Sequence, residues 1–127
     1  MQEMHVYEYA TVRFCPRVER AEFINLGVIV FCKSLKFLKF EFFINEAKVL
    51  AFSPETDLLE LRNNLMSFEN ICKGSQTGGP IGCQDLPSRF RWLTAKRSTI
   101  LQASEVHPGY TDDPQKTLHR LLETMVL

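Results

Sequence analysis

Two clusters of basic residues are the part of the sequence most able to bind a ligand. The first cluster spans residues 13–20 and the second spans residues 89–97, and no acidic residue interrupts the second. Guanidinium groups offer forked donors that match the oxygens of a phosphate or a carboxylate. We therefore predict an anion- or partner-binding surface, to which we assign Arg13, Arg17, Arg20, Arg91, Arg97 and His107.

A solvated charged rim explains the same basic residues without any ligand. Glu19 and Glu22 lie beside the first cluster as local ion-pair partners, and runs of charge usually lie on solvated faces. The binding hypothesis requires the last strand of the fold to pair beside the first, which would bring the two clusters together. The whole chain carries 15 basic and 15 acidic residues, and this zero net charge argues against a general nucleic-acid binder.

No complete catalytic or metal-binding set is recognisable in the sequence. His107 is followed by Asp112 and Asp113, a combination that suggests metal ligands or a general base. A Pro-Gly turn and the cap of a following helix explain these residues without either role. The glycine-rich residues 74–84 lack the Gly-Lys-Ser/Thr of a phosphate-binding loop. We therefore expect no catalytic residue, no metal site and no cofactor.

The cysteines and the apolar segments indicate the cellular compartment that we expect for the protein. The four cysteines include no C-x-x-C pair, which argues against a zinc ribbon. The N-terminal residues are polar, and no apolar run approaches the ~20 residues that span a bilayer. We expect a cytoplasmic protein with reduced thiols and no membrane partner.

Four segments of the chain predict β-strands. Residues 5–14, 37–44 and 98–103 are rich in β-branched and aromatic side chains. Residues 26–32 contain no polar side chain, which indicates a strand covered on both faces. The turn at residues 33–36 is too short for anything but antiparallel pairing.

Proline-based start signals predict two main helices. Ser53-Pro54 and Asp113-Pro114 each combine a capping side chain with a proline at the first helical position. Residues 86–94 predict a shorter helix. The expected fold is a single α+β domain over residues 1–127, with an antiparallel sheet of about four strands and two main helices packed on one face.

Asn25 and Gly27 lie where a charged loop enters the apolar strand. A glycine at this point permits a β-bulge or a close approach of another chain segment. The side-chain amide of asparagine is suited to capping the turn. We assign both residues a structural role.

Two long motifs resemble a known family. "PRVERAEFINLGVIVFC" (residues 16–32) and "FRWLTAKRSTILQASEVHPGYTDDP" (residues 90–114) are similar to the terminal signatures of DUF3037, a bacterial family of unknown function. Lys96 and Glu105 depart from that pattern, at positions where proline is common. The resemblance implies no reaction. It implies an accessory protein, because genes of this family often lie beside the gene of a HipA-like kinase.

The expected function is that of a small interaction or regulatory module whose arginines bind an anionic partner. The amphipathic face of Tyr7 and Tyr9 on the first strand supports this hypothesis. A HipA-like kinase is the partner that the resemblance implies, and another protein is the alternative. A phosphoester- or nucleotide-binding site or enzyme that uses the arginines and His107 is the second hypothesis, and nucleic-acid contact is the third. The sequence leaves the oligomeric state open.

Overall fold

The computed structural model describes residues 3–74, 78–97 and 99–127 of the chain. These residues form an antiparallel sheet with helices on both faces, which confirms the predicted α+β class. The strands are β1 (His5–Phe14), β2 (Ile24–Cys32), β3 (Phe37–Phe42), β4 (Leu101–Ala103) and β5 (His107–Thr111). The helices are α1 (Glu46–Phe52), α2 (Leu58–Lys73), α3 (Gly79–Gly82), α4 (Leu86–Thr94) and α5 (Pro114–Met125), and a 3-10 turn (Val18–Arg20) joins β1 to β2.

The sheet has the strand order β3-β2-β1-β4, and β5 pairs with β1 as well. The ten residues of β1 accommodate both short strands along one edge, with β5 beside residues 5–9 and β4 beside residues 12–14. The prediction of a Pro-Gly turn after His107 is wrong, because Pro108 and Gly109 lie in β5. A proline is tolerated there because β5 is at the edge of the sheet.

The apolar side chains of strand β2 explain why helices cover both faces of the sheet. All of its residues from Leu26 to Cys32 are buried. Ile29 and Phe31 pack into a core with α1, α2 and α4, whereas Val28 and Val30 pack into a second core beneath α5. The prediction that both main helices pack on one face is therefore wrong. Helices α2 and α5 lie on opposite faces, because the apolar side chains on each side of β2 must be shielded from water.

Helix α2 begins at Leu58 rather than at the predicted Ser53-Pro54. The carboxylate of Asp57 accepts hydrogen bonds from the backbone N–H groups of Leu59 and Glu60, each at 3.1 Å. Ser53 instead ends α1, a helix that the sequence did not predict. The start of α5 at Asp113-Pro114 is confirmed.

Two predicted segments extend over residues that the structure does not describe. Of the predicted strand 98–103, residues 101–103 form β4, and residue 98 lies outside the described residues. Of the glycine-rich segment 74–84, residues 75–77 lie outside them, and α3 occupies much of the remainder. None of the helices in the described ranges is long and apolar enough to cross a membrane.

The four cysteines are free thiols in different environments. Cys15, Cys32 and Cys72 are buried, whereas Cys83 is exposed. Burial raises the pKa of Cys72 to about 12, and the nearby positive charge of Arg89 opposes that rise only in part. A thiol with so high a pKa is protonated and unreactive at neutral pH.

Candidate functional site

Three cations line one cavity of about 420 Å³ near the C-terminal end of β1. Arg13 lies on β1, and Lys96 and Arg97 lie between α4 and β4. The pairing of β4 beside β1 brings them together, since Arg13 and Gln102 are register partners. We call this site the cationic cavity, and its described lining residues are Arg13, Lys96, Arg97, Gln102, Ala103 and Glu105.

The guanidinium group of Arg97 is positioned by Trp92 of α4. Its central carbon is 3.9 Å from the centroid of the indole ring, and one terminal nitrogen donates a hydrogen bond to the Trp92 carbonyl. Stacking and hydrogen bonding together restrict the rotamers of this long side chain. Arg97 makes no other hydrogen bond within the described ranges, so its remaining N–H groups can donate to a ligand.

Arg13 is positioned in a similar way by Phe23. The central carbon of its guanidinium is 4.1 Å from the centroid of the phenyl ring. Its Nε atom is buried and has no hydrogen-bond partner in the described part of the chain. A buried donor without a partner costs free energy, which an acceptor oxygen from a ligand or a water molecule would recover.

The charges of the cationic cavity are only partly balanced. The ion pairs found among the described residues do not involve Arg13, Lys96 or Arg97. Glu105 is the one carboxylate among the described lining residues, so three positive charges face one negative charge. The described lining therefore has a net positive charge.

Two hydrogen bonds between Ser104 and Thr11 hold the segment that contains Glu105 against β1. The Ser104 hydroxyl accepts a hydrogen bond from the backbone N–H of Thr11 at 2.8 Å, and the Ser104 N–H donates to the Thr11 carbonyl at 2.8 Å. Both residues are buried. These bonds fix the position of the Glu105 side of the cavity relative to β1, the strand that carries Arg13.

Arg17 and Arg20 line a different cavity from Arg13 and Arg97. This second cavity, of about 300 Å³, lies between the 3-10 turn and the α1–α2 connection. Glu22 and Glu55 also line it, and Arg20 forms an ion pair with Glu22. The first basic cluster is divided because Pro16 ends the strand, so that Arg17 and Arg20 follow the turn while Arg13 stays on the sheet.

Arg91 and His107 do not line the cationic cavity. Arg91 is exposed on α4, where it donates to the Ser88 hydroxyl at 3.3 Å. His107 is exposed on β5 opposite Tyr9, with 5.4 Å between the two ring centroids. Tyr7 is buried in the core beneath α5, and Tyr9 is half-buried against the same core, so the two tyrosines do not form the predicted exposed face.

One of the aspartates after His107 caps a helix. Asp113 accepts hydrogen bonds from the backbone of α5, at Gln115 and Lys116. Within residues 3–74, 78–97 and 99–127, no three histidine, cysteine or acidic side chains cluster as potential metal ligands.

Arg89 has a structural role that sequence reasoning missed. Its guanidinium donates hydrogen bonds to the carbonyls of Ile71 and Cys72, at 2.9 and 2.8 Å, and its Nε donates to the carbonyl of Gln84 at 3.0 Å. It therefore caps the end of α2. Arg91 lies only two positions further along the same helix, and nothing in the local sequence distinguishes the two arginines.

Asn25 and Gly27 flank a β-bulge between β1 and β2. The register shifts so that Val12 faces Gly27 while Arg13 faces Asn25, which leaves Leu26 as the extra residue. The Asn25 amide does not cap its own turn but donates to the carbonyl of Met125 at 3.2 Å. Because a bulge rotates the chain locally, it contributes to the direction in which Arg13 points.

Gly27 occupies a position with no room for a side chain. A Cβ atom there would lie 2.3 Å from Cε1 of Phe40 and 2.8 Å from the carbonyl oxygen of Glu41. The glycine therefore allows β3 and its phenylalanine to pack closely against β2.

Comparison with known proteins gives a family and no closer relative. A search of curated proteins and a search of solved structures each found no significant match. A family model described as "Protein of unknown function (DUF3037)" matches residues 9–126, a range that includes both sequence motifs and nearly the whole chain. The chain therefore belongs to the DUF3037 family, as its two motifs predicted.

Proposed function

We propose that this protein is a binding module that recognises an anionic segment of a partner protein, and that the cationic cavity is its binding site. The observation that carries the proposal is the convergence of Arg13, Lys96 and Arg97 from two distant parts of the chain on one cavity. Two guanidinium groups and one ammonium group suit a phosphate group or paired carboxylates. The stacking partners Phe23 and Trp92 reduce the entropy that the arginines lose on binding.

The lining of the cavity supports binding more than catalysis. Among its described lining residues there is no hydroxyl, thiol or imidazole group, and these groups are common nucleophiles and general bases. The one described carboxylate, Glu105, lines the cavity together with three cations, which favour its ionised form as a binding group. The second hypothesis from the sequence, an enzyme that combines the arginines with His107, receives no support from the position of His107 on β5.

Glu105 supports a peptide ligand over a simple inorganic anion. Its carboxylate lies in the same cavity as the three cations, where it repels a free phosphate ion. A peptide brings backbone N–H donors next to its anionic side chain, and such a donor can satisfy the Glu105 carboxylate. A HipA-like kinase, the partner that the family resemblance implies, is the first protein we propose to test.

Affinity purification from the native host tests the proposal. We expect a protein partner to co-purify with the wild type and to be lost with the double variant Arg13→Gln/Arg97→Gln. The matched control, Arg17→Gln/Arg20→Gln, removes the same charge from the other cavity and should retain the partner. Equal losses with the two double variants would contradict the assignment of the site.

The purified partner then permits a direct measurement of affinity. Each charge-assisted hydrogen bond to a bound anion contributes about 1.5–3 kcal/mol, so each single substitution, Arg13→Gln or Arg97→Gln, should weaken binding roughly 10- to 100-fold. Recovery of a nucleotide or a nucleic acid in place of a protein would refute the proposed partner class. Thermal unfolding of every variant shows whether a loss of binding reflects a loss of folding.

A further inference from the structure

A second surface of the protein is apolar, and its side chains are exposed in the described part of the chain. Val6 of β1 and Tyr110 of β5 are register partners, so their side chains stand next to each other on one face of the sheet. Their exposed fractions are 54% and 72%. Met4, just before β1, is also largely exposed. We call this surface the Val6–Tyr110 face.

The same side of the sheet is covered by helices elsewhere. Val12 lies on the same side of β1 as Val6, because side chains alternate along a strand, and Val12 is completely buried. Phe31 of β2 stacks on Phe90 of α4, with 5.0 Å between the ring centroids. Next to Phe31 a depression of about 690 Å³ opens, and Met4 and Val6 line it as well.

Exposed apolar side chains that form a contiguous patch are one of the features of a surface that another protein covers. The face lies at the far end of β1 from the cationic cavity. Val6 and Arg13 are seven residues apart on this strand, or roughly 23 Å at about 3.3 Å per residue.

The charges around the depression indicate which partner fits. Glu8 and Lys33 both line it, and neither belongs to an ion pair in the described portion of the chain. A surface with one negative and one positive group is complementary to a copy of itself rotated by 180°, since each contact is then made twice. A partner with a purely acidic or purely basic surface would leave one of the two groups repelled.

We infer that the Val6–Tyr110 face is the interface of a symmetric homodimer. The apolar side chains supply the driving force. Glu8 of each copy pairs with Lys33 of the other, and these pairs select the orientation. The inference is independent of the proposed function, because it uses none of the residues of the cationic cavity. Such a dimer leaves both cationic cavities accessible and presents two binding sites to a partner.

Sedimentation velocity over a range of protein concentrations tests the inference. We expect the wild type to sediment as a concentration-dependent dimer. Val6→Asp and Tyr110→Asp should each weaken dimerisation at least about tenfold, because a carboxylate would have to be desolvated in the interface. The matched control is Leu59→Asp on α2, where the replaced leucine is 68% exposed and outside both cores. This variant should dimerise like the wild type.

A charge exchange tests the symmetry of the interface. Glu8→Lys and Lys33→Glu should each weaken self-association, because each places like charges opposite one another. An equimolar mixture of the two variants should form a heterodimer with higher affinity than either variant alone, since every positive position then faces a negative one. A monomeric wild type at all concentrations would overturn the inference. So would Asp variants that dimerise as tightly as Leu59→Asp, or a mixture that associates no better than its components.

Discussion

The buried guanidinium of Arg89 allows a quantitative prediction, since it holds the end of α2 to the region before α4. In Arg89→Met the hydrophobic stem is retained, but the carbonyls of Ile71, Cys72 and Gln84 lose their donors. Hydrogen bonds from a charged donor contribute about 1.5–3 kcal/mol each. Relief of the cost of burying a positive charge offsets part of that loss. We expect the free energy of unfolding to fall by about 3 kcal/mol.

Urea unfolding followed by circular dichroism measures this loss. Arg91→Met is the matched control, because Arg91 lies on the same helix but is exposed and makes one long hydrogen bond to a side chain. That control should change the free energy of unfolding by less than about 0.5 kcal/mol. Arg89→Lys should fall between them, at about 2 kcal/mol, because an ammonium group keeps the charge but lacks the planar fork.

A small effect would refute the structural role of Arg89. If Arg89→Met costs less than about 1 kcal/mol, or no more than Arg91→Met, the three carbonyls have other partners and Arg89 does not cap α2. The same variants separate stability from binding. Arg89 does not line the cationic cavity, so Arg89→Met protein that is still folded should bind the partner with wild-type affinity.

Three further predictions concern other parts of the fold. Gly27→Ala should lower the free energy of unfolding by about 2–3 kcal/mol, because its Cβ would lie 2.3 Å from the Phe40 ring; a loss below about 1 kcal/mol in urea unfolding would contradict this close packing. In the same assay, Asp57→Ala should lower the free energy of unfolding by about 1 kcal/mol and Ser53→Ala by less than about 0.5 kcal/mol, because Asp57 caps α2. A larger loss for Ser53→Ala than for Asp57→Ala would indicate that the helix begins at Ser53. In the native protein a thiol reagent should modify Cys83 rapidly and the other cysteines only after unfolding; a second fast-reacting thiol would contradict their burial.

The elements that follow a strong local pattern could be predicted from the sequence. The aromatic and β-branched residues of β1, the unbroken apolar run of β2 and the Asp113-Pro114 signal each depend on neighbours within a few residues. The weaker signals failed. Ser53-Pro54 resembles a helix start, but the Asp57 carboxylate competes for the same role and accepts the backbone hydrogen bonds. Pro108 and Gly109 resemble a turn, but pairing with β1 holds them in a strand.

For the candidate site, the sequence indicated which types of side chain are present but not where they lie. The basic clusters predicted an anion-binding surface, but their members have four different environments. Arg13, Lys96 and Arg97 line the cationic cavity, and Arg17 and Arg20 line another. Arg89 is buried, and Arg91 is exposed on α4. Side chains that are neighbours in sequence diverge where Pro16 turns the chain or where the helix rotates by about 100° per residue.

Periodicity, proline signals and motif identity are local properties of the chain, and they were enough to predict the α+β class, the family and the burial of β2 on both faces. They did not predict which helix covers which face, which cations meet, or which apolar residues stay exposed. Those outcomes depend on strand order and on contacts between residues that are distant in sequence, such as Arg13 with Gln102 and Val6 with Tyr110. A local sequence pattern does not specify which distant residues become neighbours when the sheet forms.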